Sequence, residues 1–264
     1  MNNIKINCSW ELEFELLHEK QIELFVDYHQ INTATPDSIK VLFLLEPEDI
    51  LPLAKNTIQN HDKFDYILTH NKEILENCPN AHLFEFATTW IKDYTFPEKK
   101  FEVSTLVGGK TLAPGHFLRQ KLWYKENRIK IPKKFFISGN QAGNLQNYNN
   151  NPVLGAFKDP LFDSQFHIVI ENAKRDYWFT EKLIDCLQTK SIPIYWGCPN
   201  IGNYFNLKGM FIVNNINEII NICNKLTPET YSEMYEFAEE NYQKSNEFTN
   251  IAERLKNKIE KIIK

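Results

Sequence analysis

The chain reads as an α/β protein. Apolar runs of strand length recur along it, and stretches with helical spacing separate them. The runs are near-continuous rather than alternating, as strands buried on both faces of a parallel sheet are. Several end in charged or polar residues, which is where open α/β sheets place ligands. The stretch from Phe166 to Asn206 shows all three features at once. An apolar run, Phe166 to Ile170, is followed by the polar segment Glu171 to Tyr177. Thr180 then opens a helical pattern with Leu183, Ile184 and Leu187 on one face, and a second run, Ile192 to Trp196, ends at Gly197 and Pro199. Strand, turn, helix and strand make a βαβ unit.

The remaining elements follow the chain. Residues 3 to 10 predict a first strand, with Ile4 and Ile6 alternating and Trp10 closing it. Residues 11 to 28 predict an amphipathic helix from Leu12, Leu16, Leu17, Leu24, Phe25 and Tyr28. Ile39 to Leu45 is a buried strand stopped by Glu46-Pro47. A helix over 51–60, a strand over 64–69 ending at His70, a helix over 71–77 and a strand over 81–86 continue the alternation. Tyr94 to Lys100, with Pro97, is the expected linker. Beyond it lie a strand over 101–107, the turn Gly108-Gly109-Lys110-Thr111, a helix over 114–124 carrying His116 and Arg119, and a strand over 134–137. Asn140 to Asn151 is expected to be a mobile surface loop. A late strand over 210–213, a helix over 216–226 and mostly helix from Pro228 complete the chain. The expected domains are 1–95, 96–240 and a final helical segment, 241–264.

Composition narrows the class. The chain has 264 residues, 42% of them hydrophobic and 13% aromatic, enough for a sizeable core. A net charge of -4 argues against a dedicated nucleic-acid binder, which would show a basic face. Five scattered cysteines without CxxC spacing, Cys8, Cys78, Cys186, Cys198 and Cys223, fit reduced thiols and a cytoplasmic location. Cys186 is expected to be core packing. No leader-like segment opens the sequence, and no run approaches the ~20 residues of a membrane span. Ile251, Leu255, Ile259 and Ile262 form an apolar stripe beside Arg254, Lys258 and Lys261. That pattern suits ordinary packing and also admits a peripheral membrane contact.

The short motifs mostly exclude. Gly109-Lys110-Thr111 would complete a phosphate-binding P-loop, but Ser104 stands where the first glycine is needed. A glycine-rich turn before a helix can still approach phosphates through its amides. No GxGxxG, HExxH, GxSxG or zinc-type Cys/His spacing occurs, and Glu46-Pro47-Glu48 is the nearest approach to a paired-carboxylate site. Neither a metal nor an organic cofactor is therefore expected. The cluster Glu171, Asn172, Lys174, Arg175, Tyr177, Trp178, Thr180, Glu181 and Lys182 is denser in donors, charges and rings than a turn requires. Singly, Glu171 and Lys182 serve equally well as a structural ion pair and Trp178 as packing. Together they suit an anionic ligand carrying a ring.

These residues also carry a family resemblance. Ile170-Glu171-Asn172, then Trp178-Phe179-Thr180-Glu181-Lys182, then Ile192-Pro193-Ile194-Tyr195-Trp196-Gly197 resemble the donor-binding signature of the α-1,3/4-fucosyltransferases, glycosyltransferase family 10. Trp178 stands where that family usually has tyrosine, keeping a ring without a phenolic hydroxyl. More weakly, the strand over 101–107 followed by Arg119, and Leu45-Glu46 followed by Phe64-Asp65-Tyr66, are similar in order to further family elements. The likeness is strongest over 166–206 and reaches back to residue 39. The amino-terminal domain is shorter than is usual for the family.

The resemblance implies a GT-B-like fold, with two Rossmann-like domains facing a cleft and C-terminal helices, the last of which crosses back. It implies an inverting, metal-independent glycosyltransferase that moves fucose from GDP-fucose to a glycan hydroxyl. Glu46 would be the base. Arg119, Glu171, Asn172, Trp178, Thr180, Glu181 and Lys182 would hold the donor, with Arg119 and Lys182 on the diphosphate. Gly109, Lys110 and Arg175 would help with phosphate. The partners would be a nucleotide-sugar and a glycan acceptor. Two alternatives stand beside this: a non-catalytic nucleotide- or glycan-binding module, and a transferase using another nucleotide-sugar.

Overall fold

The structure, a computed structural model, describes residues 3–8, 12–28, 31–139, 142–147 and 149–263. By internal contacts the chain forms two compact units. The first holds residues 1–86, 175–178 and 250–264; the second holds 87–174 and 179–249.

The first unit is built on a five-stranded parallel sheet in simple order: β1 (Ile4–Asn7), β2 (Ile22–Val26), β3 (Ile39–Leu44), β4 (Tyr66–Thr69) and β5 (Ala81–Leu83). Strand alternation sends side chains to two cores. Ile22, Leu24, Val26, Val41 and Phe43 face one, while Phe25, Leu42, Leu44 and Ile67 face the other. Helices α1 (Ala54–Gln59) and α2 (Lys72–Asn77) cover the second core through Ala54 and Ile74.

The amphipathic helix expected over residues 11–28 does not form. Its C-terminal half is β2, whose five residues are all buried, a pattern that needs cover on both faces. Leu12 and Leu16 enter the core from an irregular segment, while Leu17 is exposed, so they share no helical face. Trp10, expected to close the first strand, lies outside the described residues.

The second unit holds a six-stranded parallel sheet in the order β11-β10-β9-β6-β7-β8. Its strands are β6 (Lys100–Val107), β7 (Lys133–Ser138), β8 (Val153–Leu154), β9 (Ser164–Ile170), β10 (Ile192–Trp196) and β11 (Phe211–Ile212). Helices α3 (Pro114–Trp123) and α5 (Ile216–Cys223) pack one face and α4 (Glu181–Gln188) the other. Helix α6 (Pro228–Ser245) follows α5 in the same unit. The successive strands β6, β7 and β8 step outward one way and β9, β10 and β11 the other. The order therefore reverses between β6 and β9, and such a reversal opens a crevice at the strands' carboxyl ends.

The last helix, α7 (Ile251–Ile262), belongs to the first unit. Ile251, Leu255 and Ile259 are buried on the β2–β3 face, and Arg254 stacks 4.8 Å from the Phe84 ring and donates to the Glu85 carbonyl at 3.1 Å. The apolar stripe thus packs on protein. Among the described residues no helix is long and apolar enough to cross a membrane. The segment expected as a linker lies inside the second unit. The Tyr94 hydroxyl donates to the Phe162 carbonyl at 2.8 Å, and Lys99 Nζ donates to that carbonyl at 2.6 Å and to Ser191 Oγ at 3.0 Å. The passage between units falls at Phe86–Ala87, nine residues before the expected boundary. The Asn-rich loop is partly outside the described residues. Its described Asn149 and Asn151 donate their side-chain amides to Glu126.

Candidate active site

The crevice at the β6–β9 reversal gathers most of the expected donor residues. Helix α3 bridges the two strand ends. Gln120 Nε2 donates to the Lys110 carbonyl at 2.9 Å on the β6 side, and Arg119 donates to the Ile170 carbonyl and, through Nη2, to Asn172 Oδ1 at 2.8 Å on the β9 side. The Gly115 amide donates to the Asn172 carbonyl at 2.9 Å. A Cβ at Gly115 would lie 1.7 Å from the Glu171 carbonyl oxygen, so the contact requires glycine. Burial lowers the Arg119 pKa to about 10, against the opposing pull of Glu171 and Glu181, and the guanidinium stays charged at neutral pH.

Glu171 is fully buried at the end of β9. Its carboxylate accepts from the Thr180 amide at 2.9 Å and from the Thr180 hydroxyl at 2.7 Å. Burial pushes its pKa up. Thr180 is the N-cap of α4, its oxygen accepting from the Lys182 amide at 3.2 Å. Glu171 therefore fixes the start of the helix that carries Glu181 and Lys182. Gly197 makes room for it, since a Cβ there would lie 2.6 Å from Glu171 Cγ and 2.4 Å from the Tyr195 hydroxyl.

Glu181 sits between two lysines. Lys182 Nζ is 3.0 Å and Lys158 Nζ 3.7 Å from its Oε1. Burial alone would raise the Glu181 pKa; the two lysines overcome it and hold it at about 2. Lys158 also pairs with the buried Asp185 at 2.8 Å and lies 4.0 Å over the Trp90 ring. Asp185 in turn accepts from Thr89 Oγ1 at 2.8 Å and the Trp90 amide at 2.7 Å. Lys158 stands outside every regular pattern, and nothing in the sequence singles it out.

The turn after β6 is differently occupied. A Cβ on Gly109 would lie 2.2 Å from the Ala142 carbonyl oxygen, so this glycine serves a close approach of two backbones. Lys110 is exposed beside it.

Arg175 and Trp178 belong to the first unit and the cluster above to the second. Arg175 Nε donates to Asp49 at 2.8 Å, which raises its pKa. Trp178 is buried, its Nε1 donating to the Leu45 carbonyl at 3.3 Å and its ring 6.1 Å from that of His70. Glu46 is half-buried just past the end of β3. The neighbouring strand ends add Asp27 and His70. Asp27 accepts from the Leu45 amide at 3.0 Å and its pKa is raised by burial; burial holds His70 at about 4. Glu48 accepts from the Leu53 and Ala54 amides at 3.0 and 2.6 Å, which ties it to the start of α1. Among the described residues no three His, Cys, Asp or Glu side chains are grouped as a metal ion would need.

No protein-family model matches the chain. A solved α1,3-fucosyltransferase with GDP superposes with a TM-score of 0.54 at 17% identity, over 87% of this chain and 77% of that one. The fold is that of the GT-B glycosyltransferases. A second GT-B structure, the pneumococcal O-GlcNAc transferase GtfA with UDP and GlcNAc, matches with a TM-score of 0.55 at 13% identity, over 91% of this chain and 57% of that one. In sequence, the α-(1,3)-fucosyltransferase FucT of Helicobacter pylori is 35% identical over 66 residues, a quarter of this chain and 12% of that protein. The likeness to the α-1,3-fucosyltransferases is therefore present in both sequence and fold.

Proposed function

We propose that the chain is a nucleotide-sugar glycosyltransferase, and that its donor is GDP-fucose. The observation that carries this is the β6–β9 crevice, where Arg119, Lys182 and Glu181 come together around the Glu171–Thr180 bracket in a GT-B fold. A diphosphate needs cations where its charge grows, and Arg119 and Lys182 supply them. The ionised Glu181 suits a sugar or ribose hydroxyl, or the positive character that develops at the anomeric carbon.

The reaction is inverting and runs without a metal. An acceptor hydroxyl oxygen forms the new bond to the anomeric carbon as the bond to the β-phosphate oxygen breaks. That bond's electron pair leaves on GDP, and the hydroxyl proton passes to a carboxylate, for which Glu46 is the candidate. Lys110 is a helper on the phosphates. Arg175 and Trp178 are engaged by Asp49 and Leu45, so their part is to order the segment between Asn172 and Thr180.

The test is GDP release from GDP-fucose with a panel of glycan acceptors, with and without chelator. Wild type should turn over in both, and Glu46→Gln should lose about a hundredfold or more while still binding GDP. Full turnover by Glu46→Gln would remove it as the base. A second reading is a UDP-sugar donor, favoured by the match to a transferase solved with UDP. The same panel run with UDP-sugars separates the two, and protein that binds nucleotide but transfers nothing would be a binding module.

A further inference from the structure

His116 is the third residue of α3 and is 6% exposed. The Ala113 amide donates to its Nδ1 at 3.0 Å. A backbone N–H can only donate, so Nδ1 is the bare nitrogen and the ring proton sits on Nε2. Among the described residues Nε2 has no hydrogen-bond partner, and it is not one of the polar atoms sealed from solvent. The backbone of this helix start is already spent: Pro114 has no N–H, the Gly115 amide goes to Asn172 and the His116 amide to Ala113. An anion reaching this end of α3 would therefore meet the ring rather than the amides.

Three cations act on the ring, with Glu181 beyond them against Lys182. Arg119 is one turn along the same face. Lys110 is tied to α3 through Gln120, and Lys182 starts the helix fixed by Glu171. Burial first, and then the charges of Arg119, Lys110 and Lys182, lower the His116 pKa to about 4, so the ring is neutral at physiological pH.

We propose that His116 is a further ligand of the donor's diphosphate, offering its neutral Nε2–H to a phosphate oxygen beside Arg119 and Lys182. This rests on the donor reading above. The hydrogen bond strengthens as the electron pair of the breaking sugar–oxygen bond moves onto the phosphate, while the proton stays on Nε2. A neutral donor adds direction to the site without adding a further cation to Arg119, Lys110 and Lys182.

The capping bond and the ligand bond are separable. His116→Glu keeps an acceptor for the Ala113 amide but has no donor and turns a carboxylate toward the phosphates. His116→Gln keeps an acceptor and a donor. By calorimetry, His116→Glu should bind GDP about tenfold more weakly or worse at an unchanged melting temperature, and His116→Gln should stay within about threefold of wild type. Equal GDP affinity in His116→Glu and wild type overturns the role and leaves only the cap. Should His116→Glu melt lower, the imidazole ¹⁵N resonances of wild type decide: GDP must move the His116 Nε2 signal, and an unmoved signal overturns the proposal. Wild type that binds neither GDP nor UDP removes the donor reading, and this inference with it.

Discussion

Both carboxylate oxygens of Glu171 are bound by one residue, Thr180, through its amide at 2.9 Å and its hydroxyl at 2.7 Å. The end of β9 is thus clamped to the start of α4 across nine residues of chain. Thr180→Val keeps the shape but strands one oxygen of a fully buried carboxylate and removes the α4 cap. It should cost about 2–3 kcal/mol in urea unfolding, whereas Thr180→Ser should lie within about 1 kcal/mol of wild type. Equal stability of Thr180→Val and wild type would mean the clamp does not hold the site.

Lys158 joins two acids one turn apart on α4, Glu181 at 3.7 Å and Asp185 at 2.8 Å. Removing it leaves Asp185 buried without a cation. Lys158→Met should therefore destabilise by roughly 3 kcal/mol, the usual cost of breaking a buried pair from one side. It should also raise the pKa of Glu181 from about 2, because one of its two cations is gone. Carboxyl ¹³C titration reads that rise directly, and a Glu181 unmoved in the variant would show that Lys182 alone sets its charge.

Acid should weaken the protein before its salt-bridged carboxylates titrate. Burial lowers the pKa of His70 to about 4 and of His167 to about 3, and His116 shifts the same way. The unfolded chain takes up these protons near pH 6.5 and the native chain does not. The stability these residues contribute is present above pH 6.5 and is lost as pH falls toward 4, at about 1.4 kcal/mol per pH unit for each of His70 and His167. The raised carboxyls of Glu171 and Asp185 work in the opposite sense, and Glu181 adds its own loss only below about pH 4.5. Urea midpoints should fall between pH 7 and 5, and less steeply in His167→Gln. A level midpoint across that range in wild type would contradict the buried neutral rings.

Buried parallel strands were legible because they are short, apolar and bounded by polar residues: Ile39–Leu44, Ser164–Ile170 and Ile192–Trp196 all stand near where the pattern puts them. The segment around Leu12 to Val26 looks helical in sequence because leucines from an irregular segment and a two-faced strand together mimic helical spacing. The cover that β2 needs comes from α7, more than 200 residues away, and no local pattern can announce it. At the site, Arg119, Glu171, Thr180, Glu181 and Lys182 were visible as a polar cluster and a family likeness. Glu171 was expected at the donor, and what no sequence pattern indicates is that both its oxygens also accept from Thr180. Trp178, expected at the donor from the family likeness, and Arg175, expected as a phosphate helper, belong to the first unit, where they meet Leu45 and Asp49. Lys158 lies in irregular chain, and only the fold brings it to α4.

Titration of GDP into wild type and Lys182→Ala by calorimetry addresses the donor site most directly. Lys182 is one of the two cations on the buried Glu181, so Lys182→Ala should melt somewhat lower, and the titrations are run at a temperature where both proteins are folded. GDP should bind wild type and should bind Lys182→Ala about tenfold more weakly or worse, the change expected when a charge-assisted bond to phosphate is removed. Absence of GDP binding to wild type, or equal affinity in the two proteins, would contradict a diphosphate site at the β6–β9 crevice.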